Sequence, residues 1–233
     1  GQQREAQPAG AVRGQREVDA SVGRAAASFN VITAAVKIYA ATLAVVKAIN
    51  VAEDFRLLKA RVDIAAGSIE KGNDVWRELQ AISRSTQTAM QDNVVVFTRL
   101  NQSILQLGGT QRDTLVLNEL LAKAIKVSGA NATEAKTAMV QFAQALGSGQ
   151  LAGDELRSLL ENAPYLMQRL AEGLGVPIGA LKSLGEQGKL TSDVVVNALN
   201  KAAASIERDF AKVPQTFSGA MTVMEDAAIR AAA

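Results

Sequence analysis

The chain has 233 residues and a formal net charge of +2, and it contains neither cysteine nor histidine. Disulfides, thiolate metal sites and cysteine nucleophiles are therefore excluded, and the usual general base and commonest metal ligand are missing. The charge is too small to indicate a nucleic-acid or membrane partner by itself. Hydrophobic residues make up 48% of the chain but aromatic residues only 4%, which is typical of closely packed helices. We predict an all-α protein that is not an enzyme and binds no cofactor or metal.

The N-terminal part divides into two segments. Residues 1–24 mix charge, glutamine and glycine without periodicity, which predicts a polar linker or frayed segment. Residues 25–51 form an Ala-rich apolar run without a helix breaker, which predicts a helix. Its length suits a membrane span, but Lys37 and Lys47 lie inside it. We favour a helix packed against protein and keep a membrane-active segment as the alternative. Because the chain begins with Gly1, we interpret it as a piece of a longer protein.

From residue 51 to 109 the pattern stays helical. A polar interval at 68–74 is predicted to separate the helical run at 51–67 from a helix whose core positions are Trp76, Leu79 and Ile82. Residues 93–98 are β-branched, yet the apolar spacing of three and four around them favours a helix. Its inward positions are Met90, Val94, Phe97, Leu100 and Ile104.

Two capping patterns open the next two helices. Thr110-x-x-Asp113 and Asn131-x-x-Glu134 each place a side-chain acceptor before the helix and an acidic side chain three residues later. The inward positions predicted after the first are Leu117, Leu120, Leu121 and Ala124. Those after the second are Ala135, Ala138, Met139, Phe142, Ala145 and Leu146.

The stretch GSGQLAGDELRSLLENAP, residues 147–164, raises the question of a nucleotide site. Gly147, Gly149 and Ala152 fit the spacing G-x-G-x-x-[GA] of dinucleotide-binding loops. Such a loop needs a preceding strand and a free helix N-terminus. Here an amphipathic helix precedes it, and Asp154 and Glu155 would repel a phosphate. We therefore interpret the glycines as a helix C-cap followed by a tight turn.

Two short helices and one long helix are predicted after this turn. Prolines start the short helices and glycine pairs end them: Pro164 with Gly173 and Gly175, then Pro177 with Gly185 and Gly188. The long helix runs from a cap at Thr191 to a stop at Pro214. The inward positions are Met167, Leu170, Ala171 and Leu174, then Ile178, Leu181 and Leu184, and finally Val195, Leu199, Ala202, Ile206 and Phe210.

Residues 167–184 also have the shape of a DNA-binding helix-turn-helix. A recognition helix needs hydrogen-bond donors at its N-terminal end. The corresponding positions here are Pro177, Ile178, Gly179 and Ala180, and Lys182 is the only basic side chain. We expect no sequence-specific nucleic-acid binding, although a nucleic-acid-binding helical module stays a weaker alternative.

The pattern over residues 141–199 is more specific than any single glycine motif. A Gln-rich helix is followed by G-x-L-x-G-[DE]-E-L, P-x-L, L-A-x-x-L-G-V and G-K-[LI]-T, and then by a long helix. The positions that carry it are Gly149, Leu151, Gly153, Asp154, Glu155, Leu156, Pro164, Leu166, Leu170, Ala171, Leu174, Gly175, Val176, Gly188, Lys189, Leu190 and Thr191. This stretch resembles the tape measure domain of bacteriophage tail proteins, and the likeness extends more weakly upstream to about Ala52 and downstream to PQTFSGAMTVMEDA.

The resemblance implies a structural protein of the virion. Such a chain occupies the lumen of the tail tube, sets tail length during assembly in the host cytoplasm, and leaves before the DNA. The implied partners are the tail tube protein, baseplate hub or tail tip proteins, tail assembly chaperones and further copies of the chain, with host membrane contact in the alternative reading. The motif residues are then structural, and no catalytic, cofactor-binding or metal-binding residue is assigned.

The glycine and proline breaks also predict how the chain is organised. As one straight helix it would reach about 350 Å at ~1.5 Å per residue, but the breaks fold residues 52–214 into a compact multi-helix bundle. Long helical extensions are predicted at one or both ends, as the helix at 25–51 and the start of an exit helix at 215–233.

Overall fold

The computed structural model describes residues 53–214 and residue 224, and regular structure there is α-helical throughout. The helices are α1 (53–66), α2 (Ile69–Thr86), α3 (Met90–Gln106), α4 (Gln111–Val127), α5 (Ala132–Gly147), α6 (Gly153–Asn162), α7 (Pro164–Leu174), α8 (Ala180–Glu186) and α9 (Ser192–Phe210). The predicted all-α multi-helix fold is confirmed. The segments predicted at 1–24 and 25–51, and 215–233 apart from residue 224, lie outside the described residues, and the domain boundaries stay predictions.

Helix α4 occupies the centre of the bundle. It contacts α2, α3, α5, α7 and α9. Its buried apolar residues lie around most of its circumference, as expected for a helix with neighbours on several sides. They are Leu115, Leu117, Leu120, Leu121, Ala122, Ala124 and Ile125, and they include every inward position that the sequence predicted for this helix.

Both predicted capping boxes are present. The Asp113 backbone N–H donates to Thr110 Oγ1 over 3.2 Å, and the Thr110 N–H donates to Asp113 Oδ2 over 2.7 Å. The Glu134 N–H donates to Asn131 Oδ1 over 3.0 Å, and the Asn131 N–H donates to Glu134 Oε2 over 2.9 Å. Each box satisfies backbone donors that a helix start leaves free, so α4 and α5 begin where the sequence places them.

The β-branched stretch at 93–98 is helical, as predicted. It forms the middle of α3, and the five inward positions predicted for that helix are all buried. Burial of an apolar stripe against neighbouring helices outweighs the weak preference of β-branched residues for strands. Trp76, predicted as a core residue, is buried and meets Phe55 edge-on with 4.9 Å between ring centroids.

The polar interval predicted at 68–74 is wrong. Helix α2 begins at Ile69, and Ser68 caps it by accepting a hydrogen bond from the Lys71 N–H over 3.2 Å. Glu70, Lys71 and Asp74 are exposed. The polar residues are therefore the solvated side of the first turns and not a break between helices.

Three predicted helix boundaries in the α7–α8 region are also corrected. Gly173 lies inside α7 and only Gly175, with φ of 70°, caps its end. Helix α8 begins at Ala180, because Pro177 opens a turn that closes with a 2.9 Å bond from the Ala180 N–H to the Pro177 carbonyl. Gly185 likewise lies inside α8, which ends at Glu186.

Helix α9 follows its prediction closely. Thr191 occupies the N-cap position, and the four predicted inward residues from Val195 to Ile206 are buried, while Phe210 is half-buried. The helix ends at Phe210 and passes into a turn before Pro214. It packs mainly against α4 and α7, so it closes the bundle against the central helix.

Candidate functional site

The glycine-rich stretch forms a corner that joins two distant parts of the chain. After α5 ends, Gly149 adopts a φ of 96°, a left-handed conformation that favours glycine. The Leu151 N–H then donates to the Leu190 carbonyl over 2.8 Å, and the Ser192 N–H donates to the Gly149 carbonyl over 3.0 Å. These bonds form the isolated antiparallel bridge between Gln150 and Thr191. We call residues 147–153 and 188–192 the bridged corner.

The bridged corner is closed from inside by one more bond and by apolar packing. The Ser192 hydroxyl donates to the Leu146 carbonyl over 2.9 Å, which ties the start of α9 to the end of α5. Leu151 and Leu190 are buried beneath it. Two segments about forty residues apart thus behave as one structural unit, and the motif pieces G-x-L-x-G and G-K-[LI]-T are those two segments.

The surroundings of the corner do not suit a phosphate. The element before it is α5, a helix, and Asp154 and Glu155 occupy the first turn of α6. Asp154 pairs with Arg157 over 2.6 Å, so the basic side chain nearest in sequence is already engaged. Carboxylates at the helix N-terminus occupy the place where an anion would otherwise bind. The interpretation of the glycines as a turn between helices agrees with this geometry, although the turn glycine is Gly149, since Gly147 is still part of α5.

The other motif residues lie at the joints and contact faces of α6 to α9. Leu156 is buried on α6, Leu170 and Ala171 are buried on α7, and Pro164 is the first residue of α7. Gly175 caps α7. The structure brings these residues together as joints of one bundle and does not gather them around a cavity.

Helix α8 has few of the features that a DNA-recognition helix needs. It has seven residues, Lys182 is its only basic residue, and Leu181 and Gly185 are buried. A Cβ at Gly185 would lie 2.7 Å from Leu156 Cδ2, so this face of α8 packs directly on α6. Direct readout needs donor side chains on the exposed face of the recognition helix, and Lys182 is the only strong donor there.

A charged cluster that the sequence did not reveal holds the C-terminal end of α9. The Lys123 ammonium of α4 lies 2.7 Å from Glu207 and 2.8 Å from Glu119, and 5.7 Å from the Phe210 ring centroid. Burial alone would lower the pKa of Lys123, but the two carboxylates outweigh it and raise this pKa. Lys123 therefore stays charged at every physiological pH.

A second contact holds the same end of α9 from α7. The Tyr165 hydroxyl donates to Asp209 Oδ2 over 2.9 Å. Burial, and next this hydrogen bond to a carboxylate, raise the pKa of Tyr165 to about 12. The Lys212 ammonium, and next the Tyr165 hydroxyl, hold the pKa of Asp209 at about 2. Both groups are locked in the protonation states that keep the bond, so the cluster has a structural role and no acid–base function near neutral pH.

A buried polar network links α2, α3 and α4. The Asn93 amide donates to Ser83 Oγ over 2.9 Å, to Thr88 Oγ1 over 2.8 Å and to the Ala89 carbonyl over 3.2 Å. The Asn118 amide donates to the Asn93 carbonyl over 2.8 Å. These side chains are almost fully buried, and such networks fix the register of helices because an unpaired buried polar group is costly. We call this set the polar network.

Two searches of the described residues, one for metal-binding clusters and one for membrane-spanning helices, gave no candidate. They contain no cluster of three acidic side chains able to hold a metal ion. None of the helices in this part of the chain is long and apolar enough to cross a bilayer. The surface grooves in this part of the chain include one of about 290 Å³ beside α4 and α9 and one of about 460 Å³ between α1 and α3.

A comparison with models of protein families shows which family this helical bundle belongs to. The model described as "Tape measure protein" matches residues 46–233, a range that covers every described helix. The chain belongs to the tape measure protein family. No curated protein matches the chain, and no solved structure does.

Membership of the tape measure family gives the chain a structural role in a phage tail, in association with other tail components. The family is structural and not enzymatic. The motif residues that carry the resemblance in the sequence lie at the bridged corner and at the joints of α6 to α9. The polar network and the charged cluster escaped the sequence patterns because their partners lie up to 84 residues apart.

Proposed function

We propose that this chain is the folded module of a tape measure protein that sets tail length by occupying the lumen of the tail tube and leaves before the DNA. The family match over residues 46–233 supports this proposal. The proposed partners are the tail tube protein, hub or tip proteins, assembly chaperones and further copies of the chain. The motif residues act by building the bundle and not by contacting a ligand.

The bundle itself does not act as the ruler in this proposal. Helices α2 to α9 fold back on one another, with α4 in contact with five of the others, so the described residues add little to the length of an extended chain. A ruler sets length through the axial rise of each of its residues, which is about 1.5 Å in an α-helix. We infer that other parts of the parent protein supply the length, and that this module docks the ruler to the structure at one end of the tail.

Electron microscopy of tails from particles that carry altered parent genes tests the proposal. In-frame deletions outside residues 46–233 should shorten the tail in proportion to the residues removed. Restoring the same number of residues with a helical segment of unrelated sequence should restore the length, because only extent is required. Unchanged tails after deletion would contradict the ruler role.

A second candidate rests on the apolar run at 25–51, which lies outside the described residues. Here the segment would help to penetrate the host envelope during ejection. Its apolar length favours this, and Lys37 and Lys47 count against it. A peptide of residues 25–50 should then release dye from liposomes at micromolar concentration, and absence of leakage would remove this candidate.

A further inference from the structure

The two ends of α9 are attached to the bundle by different kinds of contact. Val195, Leu199 and Ile206 are buried against neighbouring helices. Of the described residues after Ile206, none is buried up to Pro214, and Phe210 is half-buried. Detaching the first part of α9 would therefore expose apolar side chains to water, whereas detaching its last turn would expose few. We call residues 207–212, the last turn of α9 and the start of the turn that follows, the end segment.

Polar contacts from two other helices hold the end segment in place. The Lys123 ammonium of α4 donates to both carboxylate oxygens of Glu207, over 2.7 and 2.8 Å. The Tyr165 hydroxyl of α7 donates to Asp209 Oδ2 over 2.9 Å. The Glu207 side chain is 50% exposed. Ion pairs that reach water are weak and are weakened further by salt, so the end segment is held less firmly than the buried part of α9.

Lys123 and Asp209 each have a second partner close to them in the chain. Lys123 also pairs with Glu119, four residues earlier in α4, over 2.8 Å. Asp209 also pairs with Lys212, three residues later, over 2.9 Å. If the end segment moves away from α4 and α7, Lys123 keeps Glu119 and Asp209 keeps Lys212. Detachment therefore leaves neither of these two charges without a partner, which is the usual cost of breaking a partly buried ion pair.

We propose that the end segment is a polar latch, which opens and closes while the rest of α9 stays packed in the bundle. In the closed state, Lys123 and Tyr165 hold it against α4 and α7. In the open state, α9 ends near Ile206, and the Glu207 carboxylate and the Tyr165 hydroxyl bind water instead. The released residues 207–212 can then span about 20 Å at ~3.4 Å per residue.

An open latch changes how the bundle is joined to the chain after Pro214. In the proposed function the bundle anchors other parts of the parent protein, and the use of the latch in the tail rests on that proposal. With the latch open, the chain after Pro214 changes direction relative to the anchor without unfolding the buried part of α9. The opening itself does not depend on length determination, so failed tail measurements would not affect it.

Hydrogen exchange of the 233-residue chain, followed by mass spectrometry, measures the opening of the latch. Relative to an unfolded chain, the amides of residues 208–213 should be protected far less than those of residues 196–206, because they exchange through local opening. Raising the salt concentration should accelerate exchange several-fold in the first stretch only, since salt screens the ion pairs. Equal protection of the two stretches, or exchange of residues 208–213 that does not respond to salt, would overturn the proposal.

The two carboxylates that bind the Lys123 ammonium give a matched pair of variants. Glu207→Gln removes the contact between helices, so the amides of residues 208–213 should exchange several-fold faster. Glu119→Gln removes the partner within α4 and the repulsion between the two carboxylates. Opening then leaves Lys123 without a carboxylate, so the same amides should exchange several-fold more slowly. A change in the same direction for both variants would show a passive contact and contradict the latch.

Removal of the second contact tests whether the latch opens apart from the rest of α9. Tyr165→Phe keeps the aromatic ring and removes the hydroxyl that donates to Asp209. Exchange should accelerate for the amides of residues 208–213 and stay unchanged for those of residues 196–206, and circular dichroism shows whether the variant folds like the native chain. Equal acceleration in both stretches would show that α9 detaches as a whole and would overturn the proposal.

Discussion

Two regions of the described residues hold their helices together by different means. Between α2, α3 and α4, buried amide and hydroxyl side chains cross from helix to helix, and Asn93 alone donates to three acceptors. Between α6, α7, α8 and α9, the contacts are mainly apolar and very close, apart from the Tyr165–Asp209 hydrogen bond at the end of α9. A Cβ at Gly173 would lie 2.0 Å from the Ala198 carbonyl oxygen. The packing of the first region depends on hydrogen bonds between side chains. The packing of the second depends on glycine, whose lack of a side chain lets two helices approach closely.

The sequence motifs that most closely resemble the tape measure domain lie in the second region, although the family match covers both regions. The motif residues between Gly149 and Thr191 are mostly glycines, a proline and buried leucines at helix joints. These residues lie at fixed spacings in the sequence, because the length of each helix sets the number of residues between one joint and the next. The polar network joins residues whose spacing follows no short pattern. The motif at the helix joints can therefore be recognised in the sequence, while the polar network is seen only in the structure.

The largest effect is expected at the close contact of α7 with α9. Gly173→Ala should destabilise the fold by about 3 kcal/mol or more, because the methyl group overlaps the backbone of α9 and the helices must separate. Gly147→Ala is the control, since nothing lies within 4 Å of its Cβ position, and it should be neutral or slightly stabilising. Urea unfolding followed by circular dichroism measures both. Equal stability of the two variants would show that α7 and α9 are not closely packed.

The polar network should give the next largest effect. Asn93→Ala removes the amide that serves Ser83 and Thr88 and leaves these buried hydroxyls with fewer partners, at a cost of about 2 kcal/mol. Asn200→Ala, on the exposed side of α9, should change stability by less than about 0.5 kcal/mol. The same unfolding experiment compares them. A neutral Asn93→Ala would mean that the network does not hold α2, α3 and α4 together.

The corner itself should show a smaller cost. Gly149→Ala forces a side chain into the left-handed region and should destabilise the fold by about 1 kcal/mol. Gly179→Ala is its control, because that residue has a φ of −62° and open space around it. Thermal unfolding distinguishes the two variants. A stability loss equal to that of Gly173→Ala would indicate that the corner, and not the α7–α9 contact, holds this region.

The smallest effect concerns pH. The pKa of Tyr165 is raised from its ordinary 10.0 to about 12, so the folded state holds the phenolic proton more tightly than the unfolded state. The stability from this bond is complete below pH 10.0 and is lost as the pH rises towards about 12. The melting temperature of the native chain should therefore fall more steeply over this range than that of Tyr165→Phe. Parallel curves would mean that the bond to Asp209 contributes nothing.

Much of the fold could be predicted from local pattern. Periodic apolar positions predicted α3, although its β-branched residues alone would favour a strand. The Thr110 and Asn131 caps placed the starts of α4 and α5 correctly, because a capping box is built from residues three apart. These features depend on neighbours within one helical turn, which the sequence displays directly.

The rest depends on contacts between distant residues. In the sequence, Gly173 is interpreted as the end of a helix. The actual reason for a glycine there is that the backbone of α9 leaves no room for a side chain, and this is seen only when the helices are packed. The polar start of α2 reads as a loop, because exposed polar residues on a helix and in a loop have the same composition. Glu207 and Asp209, which pair with Lys123 and Tyr165, are on α9, and nothing local marks them.

Tail length as a function of the number of residues removed tests the central claim most directly. In electron micrographs of particles whose parent proteins carry graded deletions outside residues 46–233, length should fall linearly by about 1.5 Å per residue, the rise of an α-helix. Gly173→Ala should instead lower the number of tails without changing their length, since in the proposed function the bundle anchors the ruler and does not set the length. Tails of constant length across the deletion series would contradict the ruler account, and shortened tails with Gly173→Ala would contradict the separation of anchor from ruler.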